Sequence, residues 1–209
     1  MFRQSLILLG LIAFLPAAAV AADIEAGKSS YVPCAACHGP SGEGKPSAHV
    51  PGIGGQSQSY LARQLWDFKK GNRTSTSDEA GKVKPCPVSM LLADGEQIAN
   101  VAAYVASLPA SKPVATIEGD ADRGEELYKS KCGACHGGHG WGNEALYTPR
   151  LTIIGDRYLI RQVRNFQSGL RGAHEDAQHG KQMALMAKDV SAEELQDIVA
   201  FLNEQPATQ

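Results

Sequence analysis

The chain is 209 residues long, carries 20% charged residues and has a formal net charge of −2. A balance this close to neutral, with no basic stripe, gives no footing for a nucleic-acid partner. It is also too small to name a partner drawn in by charge.

The predicted elements begin with a targeting segment. Arg3 supplies a positive start, residues 6–15 form a short apolar run, and Ala19-Val20-Ala21 and Val20-Ala21-Ala22 both offer small-residue cleavage sites. The run is short for a bilayer span. The reading is a signal peptide over residues 1–22, with an uncleaved anchor as the alternative. Loss of Arg3 takes the mature chain to a net charge one unit lower, and no other stretch is long and apolar enough to cross a membrane.

A helix over residues 23–31 precedes Cys34-Ala35-Ala36-Cys37-His38. Gly, Pro and Ser then dominate a loop that contains Pro51. A second helix starts near Tyr60, with Leu61, Leu65 and Phe68 at helical spacing, and Gly71 stops it. Lys84-Pro85-Cys86-Pro87 is extended, because a residue before proline avoids the helical region. The last helix of this half puts Ile98, Val101, Ala102 and Val105 on one face. Two prolines between residues 109 and 116 mark a linker.

The second half repeats the first. A helix over residues 122–131 leads into Cys132-Gly133-Ala134-Cys135-His136, at an offset of 98 from the first motif. Tyr60, Arg63, Gln64, Phe68 and Gly71 recur as Tyr158, Arg161, Gln162, Phe166 and Gly169. The final helix, with Leu195, Ile198, Val199 and Leu202 on one face, recurs at an offset of 97. Self-similarity with a domain-sized period means duplication: domain one over residues 23–110, a linker over 111–116 and domain two over 117–209. No alternating strand pattern appears, so both halves are expected to be all-α.

Cys-x-x-Cys-His is the attachment sequence of c-type haem. Two thiols one helical turn apart form thioethers to the two vinyl groups of one porphyrin, and the adjoining imidazole can bind its iron. A single match could be a redox dithiol; two matches inside a repeated framework point to two covalent haems. Cys34, Cys37, Cys132 and Cys135 are then the attachment residues, with His38 and His136 as iron ligands. Only Cys86 is left over, so no disulfide framework remains.

These residues resemble the class I c-type cytochromes, and the duplication resembles the di-haem cytochrome c4 family. The resemblance covers essentially the whole mature chain. It implies two small helical domains, each wrapping one haem, and attachment of haem outside the bacterial cytoplasm. It implies a periplasmic electron carrier, with a quinol-oxidising complex or dehydrogenase upstream and a terminal oxidase or reductase downstream. Membrane association is at most peripheral.

The second iron ligand in such carriers is commonly a methionine thioether. In domain two Met183 fits a distal methionine ahead of the final helix, and Met186 reads as a gap-filling core contact. His179 is the nearest histidine that could replace Met183. In domain one the repeat sets Cys86 against Met183. Three readings stay open: Cys86 on iron as thiolate, Met90 on iron after a small loop shift, or Cys86 in an intermolecular disulfide. His49, His139 and His174 read as surface histidines.

Arg63 and Arg161 are expected either to cap a loop or to grip a haem propionate. Tyr60 and Tyr158 read as core aromatics, with hydroxyls that reach a propionate or the other domain as the alternative. Trp66 and Trp141 read as packing residues. In the resembled family the carbonyls of prolines placed like Pro51 and Pro149 meet the proximal histidine. The favoured function is electron transfer without bond-making. The rival is an oxidoreductase that acts on a sulfur compound such as thiosulfate through a Cys86-ligated haem. A third possibility is an electron-transfer subunit held in a larger complex.

Overall fold

The computed structural model describes residues 21–73, 76–77, 83–84 and 91–208. Cys86 and Met90 lie outside the described residues. Helix α1 (Ile24–His38) starts on Asp23, whose carboxylate accepts from Ala26 N. It does not stop at residue 31 but runs on through the first cysteine motif, with Pro33 inside it. Helix α2 (Gln58–Lys70) is capped by Ser57 and ended by Gly71 at φ 78°, a conformation that favours glycine. Strands β1 (Thr76–Ser77) and β2 (Val83–Lys84) form a two-stranded antiparallel ladder. Two residues per strand are too few to show the alternation a sequence reading looks for. Helix α3 (Gly95–Ser107) closes the first half on the Asp94 cap.

The second half has five α-helices among the described residues: α4 (Ala121–Lys131), α5 (Gly133–His136), α6 (Asp156–Gln167), α7 (Gln178–Ala187) and α8 (Ala192–Glu204). Here the motif-bearing helix breaks at Cys132 (φ −124°, ψ −38°), so α4 and α5 replace the single α1. Helix α7 is not foreseen by the sequence reading. Helix α8 carries a full capping box, with Ser191 and Glu194 each bonded to the other's backbone.

In each half the first and last helices cross, α1 on α3 and α4 on α8. The crossings are built alike. Asp23 N donates to Asn100 Oδ1 (2.8 Å), and Asp120 N donates to Asp197 Oδ1 (2.9 Å). Gly27 and Gly124 sit at the contacts, where an added Cβ would overlap the carbonyl oxygens of Asn100 and Asp197. The apolar faces meet behind each crossing: Tyr31, Leu61, Ile98 and Val101 in one half, Tyr128, Leu195, Ile198 and Phe201 in the other.

The connection between the halves is latched. Buried Asp156 accepts from Thr116 N (2.5 Å), Ile117 N (2.9 Å), Thr116 Oγ1 (3.1 Å) and Arg157 N (2.6 Å). Burial pushes its carboxyl pKa up, but the hydrogen bonds from Thr116, Arg157 and Ile117 outweigh this and hold it below the usual range. A depressed folded pKa stabilises above the unfolded value of about 4 and loses that contribution as pH falls through the folded value. Asp156→Asn is expected to cost roughly 2 kcal/mol at pH 7. In urea unfolding the gap between wild type and variant should shrink at pH 3.

Candidate haem centres and the interface between them

Each cysteine motif is held with its histidine poised. Helix α1 carries Cys34, Cys37 and His38; Cys132 caps α5, which carries Cys135 and His136. In each motif the first cysteine is the more enclosed and the second is exposed. His38 Nδ1 lies 3.0 Å from Pro51 O, and His136 Nδ1 lies 3.2 Å from Pro149 O. A carbonyl can only accept, so Nδ1 carries the proton in each ring and Nε2 keeps a lone pair for a metal. Burial favours the neutral ring and lowers both imidazole pKa values, and the hydrogen bond to the carbonyl opposes it only in part. Behind each histidine the chain turns at Gly39 and Gly137, both at positive φ. The turn is pinned by Tyr31 Oη donating to Gly39 O (2.8 Å) and Tyr128 Oη donating to Gly137 O (2.7 Å).

In domain two the motif opens onto a cavity of about 250 Å³. Cys132, Cys135 and His136 line it, and α7 contributes Met183, Met186 and His179. Gln167 Nε2 ties the end of α7 to α6 by donating to Ala187 O (2.9 Å) and Val190 O (2.7 Å). Met183 is half-buried. The expectation for Met186 is corrected: it is 54% exposed and stands outside the apolar core, bordering the cavity one helical turn beyond Met183. Two thiols, an oriented imidazole and thioethers around an apolar cavity are the donor set of a c-type haem.

The halves meet through reciprocal contacts. Arg63 Nη2 donates to Tyr147 O and Arg161 Nη2 donates to His49 O, each at 2.9 Å. His49 and Tyr147 are the two described non-glycine residues at positive φ. Both arginines therefore cap loops, and the loop is in the other domain in each case. The tyrosine hydroxyls also reach across: Tyr158 Oη accepts from Arg73 Nη2 (2.6 Å), and Tyr60 Oη accepts from Arg171 Nη2 (3.4 Å). Arg73 and Arg171 were missed in the sequence reading, although their offset of 98 follows the repeat. Gln56 adds a pair of hydrogen bonds to the backbone of Arg150, donating to its carbonyl (2.9 Å) and accepting from its amide (2.7 Å). Trp141 Nε1 donates to Pro206 O (3.0 Å), fastening the C-terminal segment. Exposed His139 stacks on Trp141, at 4.7 Å between ring centroids.

A family model described as Cytochrome c matches residues 24–109 and again 121–206. Cytochrome c4 of Azotobacter vinelandii is 31% identical over 188 residues, which span 82% of this chain and 86% of that protein. The chain belongs to the cytochrome c4 family. The crystal structure of reduced recombinant cytochrome c4 from Pseudomonas stutzeri superimposes with a TM-score of 0.71 at 27% identity, covering 89% of this chain and 100% of that one. A protein of Thiomonas intermedia named thiosulfate dehydrogenase electron acceptor is 32% identical over 166 residues, 75% of this chain and 70% of that protein. As a member of the cytochrome c4 family the chain has two tandem all-α cytochrome c domains with two covalently bound haem c groups, and it serves di-haem electron transfer. Among the described residues no helix is long and apolar enough to cross a membrane.

Proposed function

We propose that this protein is a periplasmic shuttle, exported by residues 1–22, that carries electrons between respiratory or periplasmic redox partners. The observation that supports it most is the twice-repeated imidazole whose Nδ1 is taken by a proline carbonyl. That hydrogen bond fixes the tautomer and ring orientation a permanent iron ligand needs. Cys34 and Cys37, and Cys132 and Cys135, hold the porphyrins. His38 and His136 would ligate the irons. Met183 would be the second protein ligand in domain two, and Cys86 or Met90 in domain one. Bound haem supplies a one-electron couple. With two protein ligands to each iron there would be no place for a substrate, and the chain tethers the two domains so that passage between the centres needs no second encounter. Partners upstream are a quinol-oxidising complex or a dehydrogenase, including one that oxidises thiosulfate; partners downstream are a terminal oxidase or reductase.

Met183→Ala is expected to convert haem two to a high-spin spectrum, and Met186→Ala to leave it low-spin. Electron paramagnetic resonance of both variants decides between them, and a low-spin Met183→Ala protein would remove Met183 as ligand. The competing reading, thiosulfate oxidation at a Cys86-ligated haem, requires turnover with thiosulfate and an artificial acceptor that Cys86→Ser abolishes. A holoprotein that accepts electrons but does not turn thiosulfate over supports the carrier.

A further inference from the structure

The hydrogen bond of the motif histidine in domain two does not end at the proline carbonyl. His136 Nδ1 donates to Pro149 O at 3.2 Å. That carbonyl and the amide of Arg150 belong to one peptide unit, which is planar and conjugated. The Arg150 amide points the other way and donates to Gln56 Oε1 at 2.7 Å. Gln56 belongs to domain one. A chain of donors and acceptors therefore runs from the imidazole of domain two, through a single peptide, into a side chain of domain one.

Gln56 is locked in this place. It is 2% exposed. Its Nε2 donates to Arg150 O (2.9 Å), and its Oε1 also accepts from the amide of Ser57 (2.9 Å), the residue that caps α2. A side-chain amide set between an N–H and a carbonyl can face them in one orientation only. The repeat supplies a counterpart: Gln56 is equivalent to Ile154, and Gly52 to Arg150, at an offset of 98. Gly52 N donates to Ile154 O at 3.3 Å. Its peptide unit holds the Pro51 carbonyl that accepts from His38. Both proline carbonyls are thus backed by the opposite domain, one through a side-chain amide at short range, the other through a backbone carbonyl at longer range.

We propose that Gln56 of domain one is a positioning residue for the His136 imidazole of domain two, acting through the Pro149–Arg150 peptide. An acceptor at the amide end of a peptide polarises its carbonyl end, so hydrogen bonds in series strengthen one another. A stronger acceptor at Nδ1–H fixes the ring and makes the imidazole a more basic ligand. A more basic ligand favours ferric over ferrous iron, and hydrogen bonding behind the ligand is one of the means by which a protein tunes a haem. Gln56 therefore lowers the reduction potential of the haem in the other domain, and the docking of the two domains is part of what sets that potential.

This inference rests on the di-haem reading, so haem content is measured first and separately, by mass; a chain with fewer than two haems fails that reading and not the relay. In the intact holoprotein, a redox titration followed by paramagnetic NMR resolves the two haems. Gln56→Met keeps the length of the side chain and loses both polar groups. It is expected to raise the midpoint of haem two, so that at the wild-type midpoint the ferrous-to-ferric ratio goes from one to about three. The Nδ1 proton of His136 should also exchange with solvent faster. Gln56→Glu keeps an oxygen for the Arg150 amide and is expected to bring the midpoint back to the wild-type value or below it. Ser59→Ala removes a hydroxyl bond to Glu144 O (3.2 Å) across the same interface and is expected to leave haem two unmoved. Should Gln56→Met fail to mature, Gln56→Asn, which stays polar but is too short to meet the Arg150 amide, gives the same test. The proposal is overturned if loss of the acceptor leaves the midpoint of haem two where it was. It is also overturned if Gln56→Glu raises that midpoint as far as Gln56→Met does, or if Ser59→Ala does so.

Discussion

A chain in which Cys132 and Cys135 are both alanine is expected to be exported with one haem instead of two, and with domain two unfolded around a native domain one. The cavity explains the size of the effect. A volume of about 250 Å³ in domain two is lined by the motif on one side and α7 on another. At ~24 cal/mol per Å³, a cavity of that size left empty costs on the order of 6 kcal/mol. That is an upper bound, because water can satisfy the polar residues at the interface end. A domain of under a hundred residues has only about 5–10 kcal/mol to lose. Domain one keeps its own helix crossing and its own core, so its spectrum should survive. Intact mass, absorbance in the haem band and limited proteolysis check the three parts of this expectation. A double variant that still carries two haems, or resists protease throughout, would contradict it.

Gly124→Ala should lower the stability of domain two by about 3 kcal/mol, a fall of roughly 15 °C in the melting of that domain. The sign is the informative part. In an exposed helix interior the same substitution stabilises by up to about 1 kcal/mol. Here an added methyl would overlap the carbonyl of Asp197 on α8, and backbone cannot swing aside as a flexible side chain can. Parting the helices would also stretch the bond from Asp120 N to Asp197 Oδ1. Gly138→Ala is the control, because a Cβ there meets nothing within 4 Å. Differential scanning calorimetry of the holoproteins should show the domain-two transition shifted in the first variant and not in the second. Equal melting would mean that α4 and α8 can separate at little cost.

The haem-bearing residues were legible because their chemistry fixes their spacing, and the helices of the cores were legible because apolar residues recur at helical period. The carbonyls of Pro51 and Pro149 stand beside the histidines as the family resemblance implied. Helix α7 was not legible. Its residues 178–187 mix polar side chains with Gly180, show little one-sidedness, and read as loop. That is also why Met186 was misplaced. On a helix, residues 183 and 186 share a face, so Met186 borders the same cavity as Met183 rather than filling the core. The arginines illustrate a different limit. A repeat marks Arg63 with Arg161, and Arg73 with Arg171, as equivalent, but it cannot say which face of each half meets the other. Only the assembled chain shows that Arg63 and Arg161 cap each other's loops and that Arg73 and Arg171 meet over one cavity.

The most direct test of a di-haem carrier is coulometric reduction of the exported holoprotein, with its intact mass measured on the same sample. The expected result is a chain that has lost its first residues, gained the mass of two haems, and takes up two electrons in reversible steps, one at each centre. A bare polypeptide with four motif thiols, or uptake of a single electron, would contradict it.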